Sequence, residues 1–517
     1  MDVLENCLAC NKPLKNIVVW KTNYDSLFIY VCSTCEKEFK SEFKEISEVI
    51  KRIINKNSKI NSELDKTVEN ESLINHKQPT KFNDSVYLRE YMFSLLEEVH
   101  QLTYHAAFEI LLYIENFGNS DETFFSDRYF LTNSVIKTVG AWEKLLIFYS
   151  HYFEVEIQPI NKLNTFKDMK KKLGKTAFKQ TDTFNQLSIL MSNGTFKAID
   201  EARKYNDHNI SYHLDKNLRG MLNIAKAVVQ NVNVLYLSIE EAIELYKIKS
   251  RIVERNFTKN YIPNFKLDFN KNNDKIFRKK ASKIDSRKIE IDVININRIS
   301  ISYIVSMEAR ILDMKNWETQ YSNPPLQKIY YHLFDIVMRL HEAARSLGYA
   351  LNMYSDSIKL GYENPENHEI VFPGMNYSYF VKSALIRVYA SYDKLGIVFR
   401  ELFEIEGTGP NASLEKTIAY LYNRKDENLF FINSLPPTRL ISSILSKPEY
   451  KKIYNNRQDF FHNLVKSNFI PTPYGTVIDF ESINALVANG KMIYEVIDSI
   501  DIALQSFHAI GLYHQKN

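Results

Sequence analysis

From residue 87 onward apolar residues recur at helical spacing, as in Tyr91-Met-Phe-Ser-Leu-Leu96 and Ala106-Ala-Phe-Glu-Ile-Leu-Leu-Tyr113, and this predicts packed helices over most of the chain. Residues 36–54 form a charged helical pattern, whereas 55–84 are dense in Asn, Lys, Glu and Ser and read as a polar linker. Near the start, Ile17-Val-Val-Trp20 and Leu27-Phe-Ile-Tyr-Val31 flank Asn23-Tyr-Asp25 and predict two short strands around a turn. Residues 288–302 alternate apolar and polar, which predicts a strand or hairpin inside an otherwise helical protein. Asn323-Pro-Pro325 marks a break before a second helical run, since the residue before a proline is driven out of the helical region.

The helical pattern occurs twice. Residues 129–154, YFLTNSVIKTVGAWEKLLIFYSHYFE, match 379–404, YFVKSALIRVYASYDKLGIVFRELFE, without a gap. Tyr129/Tyr379, Lys144/Lys394 and Glu154/Glu404 are identical, and Trp142/Tyr392 and Glu143/Asp393 keep their character. Thr165 and Ser413 follow at matching distances, each suited to cap a further helix. Self-similarity of this kind means one supersecondary unit used twice. Glu143-Lys144 and Asp393-Lys394 read as a solvated helical face, with orientation of a nearby histidine as the competing role.

Composition narrows the class. With 517 residues, 45% of them hydrophobic, the chain fills more than one core. A net charge of +4 leaves nucleic-acid affinity to local patches. The most basic segment is 271–288, which reads as a solvated linker or a phosphate-binding insert. The start has no basic-then-apolar leader pattern and no stretch reaches the ~18–20 apolar residues that span a bilayer, so a cytoplasmic protein without membrane contact is expected. The four cysteines, Cys7, Cys10, Cys32 and Cys35, form two Cys-x2-Cys knuckles around the expected strands. That spacing predicts a zinc ribbon holding one structural zinc. Four thiolates leave no open position for catalytic water, so no catalytic metal is expected.

After each repeated helix comes a polar motif: Tyr205-Asn-Asp-His-Asn-Ile-Ser-Tyr-His213 and Tyr454-Asn-Asn-Arg-Gln-Asp-Phe-Phe-His462. The second holds Arg457-x4-His462, and the first holds a literal Arg203-x4-His208. Two registers are open. A constant shift of 249 residues sets His213 opposite His462 and His208 opposite Arg457; it is preferred because Tyr205-Asn and the aromatic before the last histidine also align, and it makes the first copy a degenerate half-site with Asn209 in the polar position. The other pairs Arg203 with His208. On these motifs, the helical context and the duplication, the chain resembles the HEPN superfamily over residues 85–250 and 325–517. These are all-helical domains whose ribonuclease members carry Arg-x4–6-His.

The resemblance implies two tandem helical-bundle domains forming a pseudo-dimer, preceded by a small β zinc ribbon and separated by a short β insert. The expected organisation is 1–54 ribbon plus helix, 55–84 linker, 85–260 first domain, 261–322 basic linker with the β insert, and 323–517 second domain. It further implies metal-independent cleavage of single-stranded RNA or tRNA loops at a composite cleft, in phage defence or as a toxin. Arg457, His462, His208, His213, Arg203, Asn209 and Asp459 are the candidate catalytic residues. Histidine, with an unperturbed pKa of ~6.5, exchanges a proton near neutral pH, and arginine offers phosphate a permanently charged fork. A homodimer or a partner protein stays open. The competing readings are a non-catalytic helical protein that binds nucleic acid or protein, with His462 a structural histidine, and a zinc hydrolase, which the lack of a His or carboxylate cluster disfavours.

Overall fold

The computed structural model describes residues 17–21, 28–75, 84–116, 127–155, 166–208, 218–250, 286–321, 324–359, 377–403, 405, 413–423, 434–462 and 480–509. The described chain is mainly helical. One antiparallel hairpin stands at the start: β1 (Ile17–Lys21) pairs with β2 (Phe28–Cys32) in a register that sets Ile17 against Cys32 and Lys21 against Phe28.

The helices fall into two compact units. The first opens with α1 (Ser33–Asn55) and α2 (Asn57–Asn75). It continues with α3 (Asp84–Asn116), α4 (Asp127–Tyr152), α5 (Phe166–Leu173), a 3-10 turn (Ala177–Gln180), α6 (Asp182–Ser192), α7 (Thr195–His208) and α8 (Leu218–Ser250). Phe39, Phe43, Ile46, Ile50 and Ile53 make one buried stripe on α1, whose Phe43 ring meets Tyr113 of α3 edge-on at 6.3 Å. The expected linker 55–84 is corrected here. Residues 57–75 are helical, and Ile60 and Leu64 bury themselves while Glu63 pairs with Lys247 of α8 at 2.7 Å.

The second unit opens with α9 (Ser286–Tyr321), then α10 (Pro324–Lys359), α11 (Tyr377–Leu402), α12 (Leu414–Asn423), α13 (Pro436–Ser446), α14 (Pro448–His462) and α15 (Phe480–Ala509). From α3 and α10 onward the two units run through the same order of helices. The expected β insert at 288–302 is corrected to α9. Ile289, Val293, Ile296, Ser300 and Met307 recur at helical spacing and are buried, with Ser300 Oγ 2.5 Å from the Tyr494 hydroxyl of α15. Ile291, Ile294, Ile301 and Val305 stand exposed on the opposite face. Apolar residues on two helical faces imitate a period of two in the sequence.

The repeated helix is the hub of each unit. Every residue of α4 from Tyr129 to His151 is buried, charged ones included. Glu143, Lys144 and Lys394 are buried too, which overturns their reading as a solvated face. Lys144 donates to Glu98 of α3 at 2.5 Å and Lys137 to Glu109 at 2.6 Å. In the second unit Lys394 lies 3.6 Å from Asp335 of α10, and Arg387 donates to Glu342 at 2.9 Å. Lys137 and Arg387, like Lys144 and Lys394, are 250 residues apart, so the buried ion pairs are themselves duplicated. So is a clasp to the last helix: Trp142 Nε1 donates to Asn231 of α8 at 3.1 Å and Tyr392 Oη to Asn489 of α15 at 2.7 Å. Breaking a buried pair by removing one partner costs ~3–5 kcal/mol, so these contacts fix how the hub packs.

Candidate functional site

Burial settles how the two motif-bearing helices correspond. On α7 the buried positions are Phe196, Ile199 and Ala202, and on α14 they are Tyr450 and Ile453. Phe196 and Ile199 meet Tyr450 and Ile453 at a shift of 254 residues. The same shift carries buried Thr183, Leu187 and Leu190 of α6 onto buried Pro437, Ile441 and Ile444 of α13. A helix register is defined by which residues face the core, so Arg203 corresponds to Arg457 and His208 to His462. The register preferred on sequence, with His208 opposite Arg457, is displaced. In this register Arg203-x4-His208 is the counterpart of Arg457-x4-His462.

The two arginines occupy different surroundings. Arg457 is half-buried, its guanidinium carbon 4.3 Å from the ring centroid of Tyr389 on α11. A guanidinium over a desolvated aromatic face gains ~0.5–2 kcal/mol and is held in orientation. Tyr389 belongs to an aromatic layer between α11 and α14: its ring lies 6.1 Å from Tyr454, and Tyr392 meets Tyr450 edge-on at 4.9 Å. Tyr450 donates to Glu415 of α12. Burial raises the Tyr389 pKa well above the ordinary tyrosine value, Asp393 adds to the rise, and Arg457 opposes it. Tyr389 therefore stays a neutral phenol under the cation.

Arg203 instead sits between carboxylates, donating to Glu143 of α4 at 3.1 Å and to Asp200 one turn back on α7 at 3.1 Å. Residue for residue, Val139 stands where the second unit has Tyr389, and Asp200 where it has Tyr454. One ring is thus replaced by an aliphatic side chain and the other by an acid, while Glu143 and Asp393 keep their character. Neither Tyr389 nor Glu143 was singled out for the arginine from the sequence. The signal was present in the gapless match, as Val139/Tyr389 in a stretch that otherwise keeps its character.

His208 and His462 are the last residues of α7 and α14 as described, five positions after their arginines, and Asp459 lies between Arg457 and His462 on α14. Asn209 and His213 lie outside the described residues. Lys170 of α5 lies over the Phe184 ring at 5.4 Å, and burial lowers its pKa.

Of the expected zinc ligands, Cys32 closes β2 and Cys35 lies buried in the first turn of α1, so this knuckle spans a strand-to-helix junction. Cys7 and Cys10 lie outside the described residues, as does most of the basic segment 271–288. Among the described residues no cluster of three or more His, Cys, Asp or Glu could hold a metal. Among them, too, no helix is long and apolar enough to cross a membrane.

Residues 333–507, which contain Arg457 and His462, match the family model HEPN_Cthe2314, a HEPN-like family. No curated protein and no solved structure matches the chain. The similarity to that family thus covers residues 333–507.

Proposed function

We propose that the protein is a metal-independent endoribonuclease of the HEPN type with two Arg-x4-His pairs, of which Arg457/His462 carries the chemistry. The reading is supported above all by Arg457, set over Tyr389 at 4.3 Å inside the segment that matches the HEPN-like family. In the reaction a 2′-oxygen attacks the adjacent phosphorus as its proton passes to a base. The bond to the 5′-oxygen breaks and that oxygen takes up a proton, leaving a 2′,3′-cyclic phosphate and a 5′-hydroxyl. His462 is assigned a proton-transfer role, worth ~10²–10⁴-fold where such groups have been removed, and Arg457 the stabilisation of the phosphorane oxygens. Asp459, His208, His213 and Asn209 are proposed as supporting polar groups. Single-stranded RNA or tRNA loops are the proposed substrates, and a defence or toxin role is proposed on family resemblance alone.

Cys7, Cys10, Cys32 and Cys35 are proposed to hold one structural zinc. A buried Cys35 one turn after the strand that Cys32 closes fits such a knuckle. When bound, the metal would supply folding energy and no chemistry.

The test is incubation of the protein with mixed tRNA and single-stranded RNA in EDTA. Cleavage with 2′,3′-cyclic phosphate ends that disappears in His462→Ala is expected. Intact RNA, or equal cleavage by wild type and variant, leaves the non-catalytic helical binding protein as the better reading.

A further inference from the structure

We infer that the first unit carries a separate grip for the RNA backbone, formed by Lys171, Lys175 and Lys179 on α5 and the 3-10 turn after it. This deepens the proposed nuclease reading by naming how its substrate is held. Five lysines lie between Lys170 and Lys179 with no acid among them, in a chain whose net charge is only +4. The segment is anchored and ordered. Met169, Leu173 and Phe178 are buried, and the Phe178 ring packs 4.7 Å from Tyr149 of α4 and 5.6 Å from Phe184 of α6. The intervening backbone is hydrogen-bonded throughout, Gly174 N to Lys170 O at 2.9 Å, Thr176 N to Leu173 O at 2.9 Å and Lys179 N to Thr176 O at 3.2 Å. With the apolar side chains turned inward, Lys171, Lys175 and Lys179 are left exposed.

Some surface lysines elsewhere are neutralised across helices: Lys59 by Glu240 at 3.3 Å, Lys247 by Glu63 at 2.7 Å, Lys328 by Glu401 at 2.6 Å. Lys171, Lys175 and Lys179 have no acidic partner among the described residues. A fixed array of cations without counter-charges fits a polyanion with regularly spaced phosphates, and fixing it in advance lowers the ordering cost of binding. Phe166 stacks on Phe196 at 4.2 Å, which ties this segment to α7, the helix of Arg203 and His208. The corresponding described helix of the second unit differs: aligning buried Met169 and Leu173 with buried Thr417 and Leu421 puts Ala419 and Tyr420 opposite Lys171 and Lys172. The first unit therefore contributes grip where the second contributes chemistry.

The test measures binding of a fluorescent single-stranded oligoribonucleotide over a KCl series, with His462→Ala as the parent so that no RNA is cut. In the triple variant Lys171→Gln, Lys175→Gln, Lys179→Gln, the slope of log affinity against log salt becomes shallower by about 2, at ~0.7 per lost phosphate contact, and Lys175→Gln alone accounts for about a third of it. A control triple variant at lysines already paired, Lys40→Gln, Lys66→Gln and Lys328→Gln, removes the same charge and leaves the slope within about 0.5. Equal slopes in all forms, equal change in both triple variants, or binding to anionic vesicles without binding to RNA overturns the inference. Wild-type protein whose slope obeys the prediction but which leaves RNA intact sinks the nuclease reading and not this one.

Discussion

Arg203 and Arg457 stand at the same place on corresponding helices, five residues before a histidine, yet one lies among acids and the other over a ring. Glu143 and Asp200 each accept from Arg203 at 3.1 Å, whereas Arg457 lies 4.3 Å from the Tyr389 centroid. A guanidinium between two carboxylates has its charge offset on the spot. One over a neutral phenol is held and oriented by the ring face. The same Arg-x4-His motif thus sets its arginine against two carboxylates in one unit and against an aromatic face in the other.

The sharpest way to break that comparison is to remove each arginine in turn. Arg457→Ala is expected to lower RNA cleavage by about 10²–10³-fold, the usual cost of losing a donor aimed at developing charge, beyond the ~0.5–2 kcal/mol of stability that the ring contact is worth. Arg203→Ala is expected to change cleavage far less and instead to destabilise the first unit by ~1–2 kcal/mol, because the buried Glu143 loses its cation. Equal losses of cleavage from both variants, without a loss of stability in Arg203→Ala, would show the two arginines to be functionally equivalent.

The duplicated ion pairs sharpen the comparison at the hub. Lys144→Met takes away the cation that Glu98 holds at 2.5 Å in full burial, and ~3–5 kcal/mol of destabilisation is expected. Lys394→Met is milder, ~1–2 kcal/mol, since Asp335 keeps Arg339 at 3.0 Å. Adding Glu98→Leu to Lys144→Met should return most of the loss in denaturant unfolding. If the two lysine variants cost the same, charge sharing around Asp335 is not what separates the units.

α9 offers a third comparison, between two isoleucines two positions apart. A strand places Ile294 and Ile296 on one face, but the helix buries Ile296 and leaves Ile294 51% exposed. Ile296→Ala should cost ~2–4 kcal/mol and Ile294→Ala less than ~0.5 kcal/mol. Similar costs would restore the strand reading of this segment.

What the sequence hid follows one logic. The gapless helix match was legible because α4 and α11 are packed on almost every side, so nearly every position is constrained. The motif register was not, because it was carried across at a constant shift. The structural shift is 250 residues at Lys144/Lys394, 254 at Arg203/Arg457 and 258 at Asn231/Asn489, so connections of unequal length move each later helix. Tyr205 and Tyr454 matched by letter at 249 while the core matched at 254. Only burial distinguishes these, and the letters of the motif outvoted the buried apolar positions of the helix before it. The linker reading of 57–75 failed for a related reason: the segment holds only five apolar residues, Ile60 and Leu64 among them are buried, and a helix lying on a larger body needs few.

The smallest expected difference is in acid. His332 and His341 on α10 and His100 on α3 are each pushed down to about 4, all by burial first, with Lys394 lowering His332 further against Asp335 and Arg345 lowering His341 further against Glu342. Unfolded, each titrates near ~6.5. As pH falls below that value the unfolded chain takes up protons that the folded chain refuses until about pH 4, so stability is complete above ~6.5 and drains away on the way down. From pH 7 to 5.5 each of these histidines should remove about 1 kcal/mol, which makes two such losses at His332 and His341 on α10 against the one at His100 on α3. Hydrogen exchange followed separately in α10 and α3, corrected for intrinsic rates, should show about twice the acid-dependent loss of protection in α10. His332→Gln should bring the two helices closer together. An α3 that loosens as steeply as α10 would mean that the buried histidines do not set the acid response, and that the two units are alike in this respect despite their different cores.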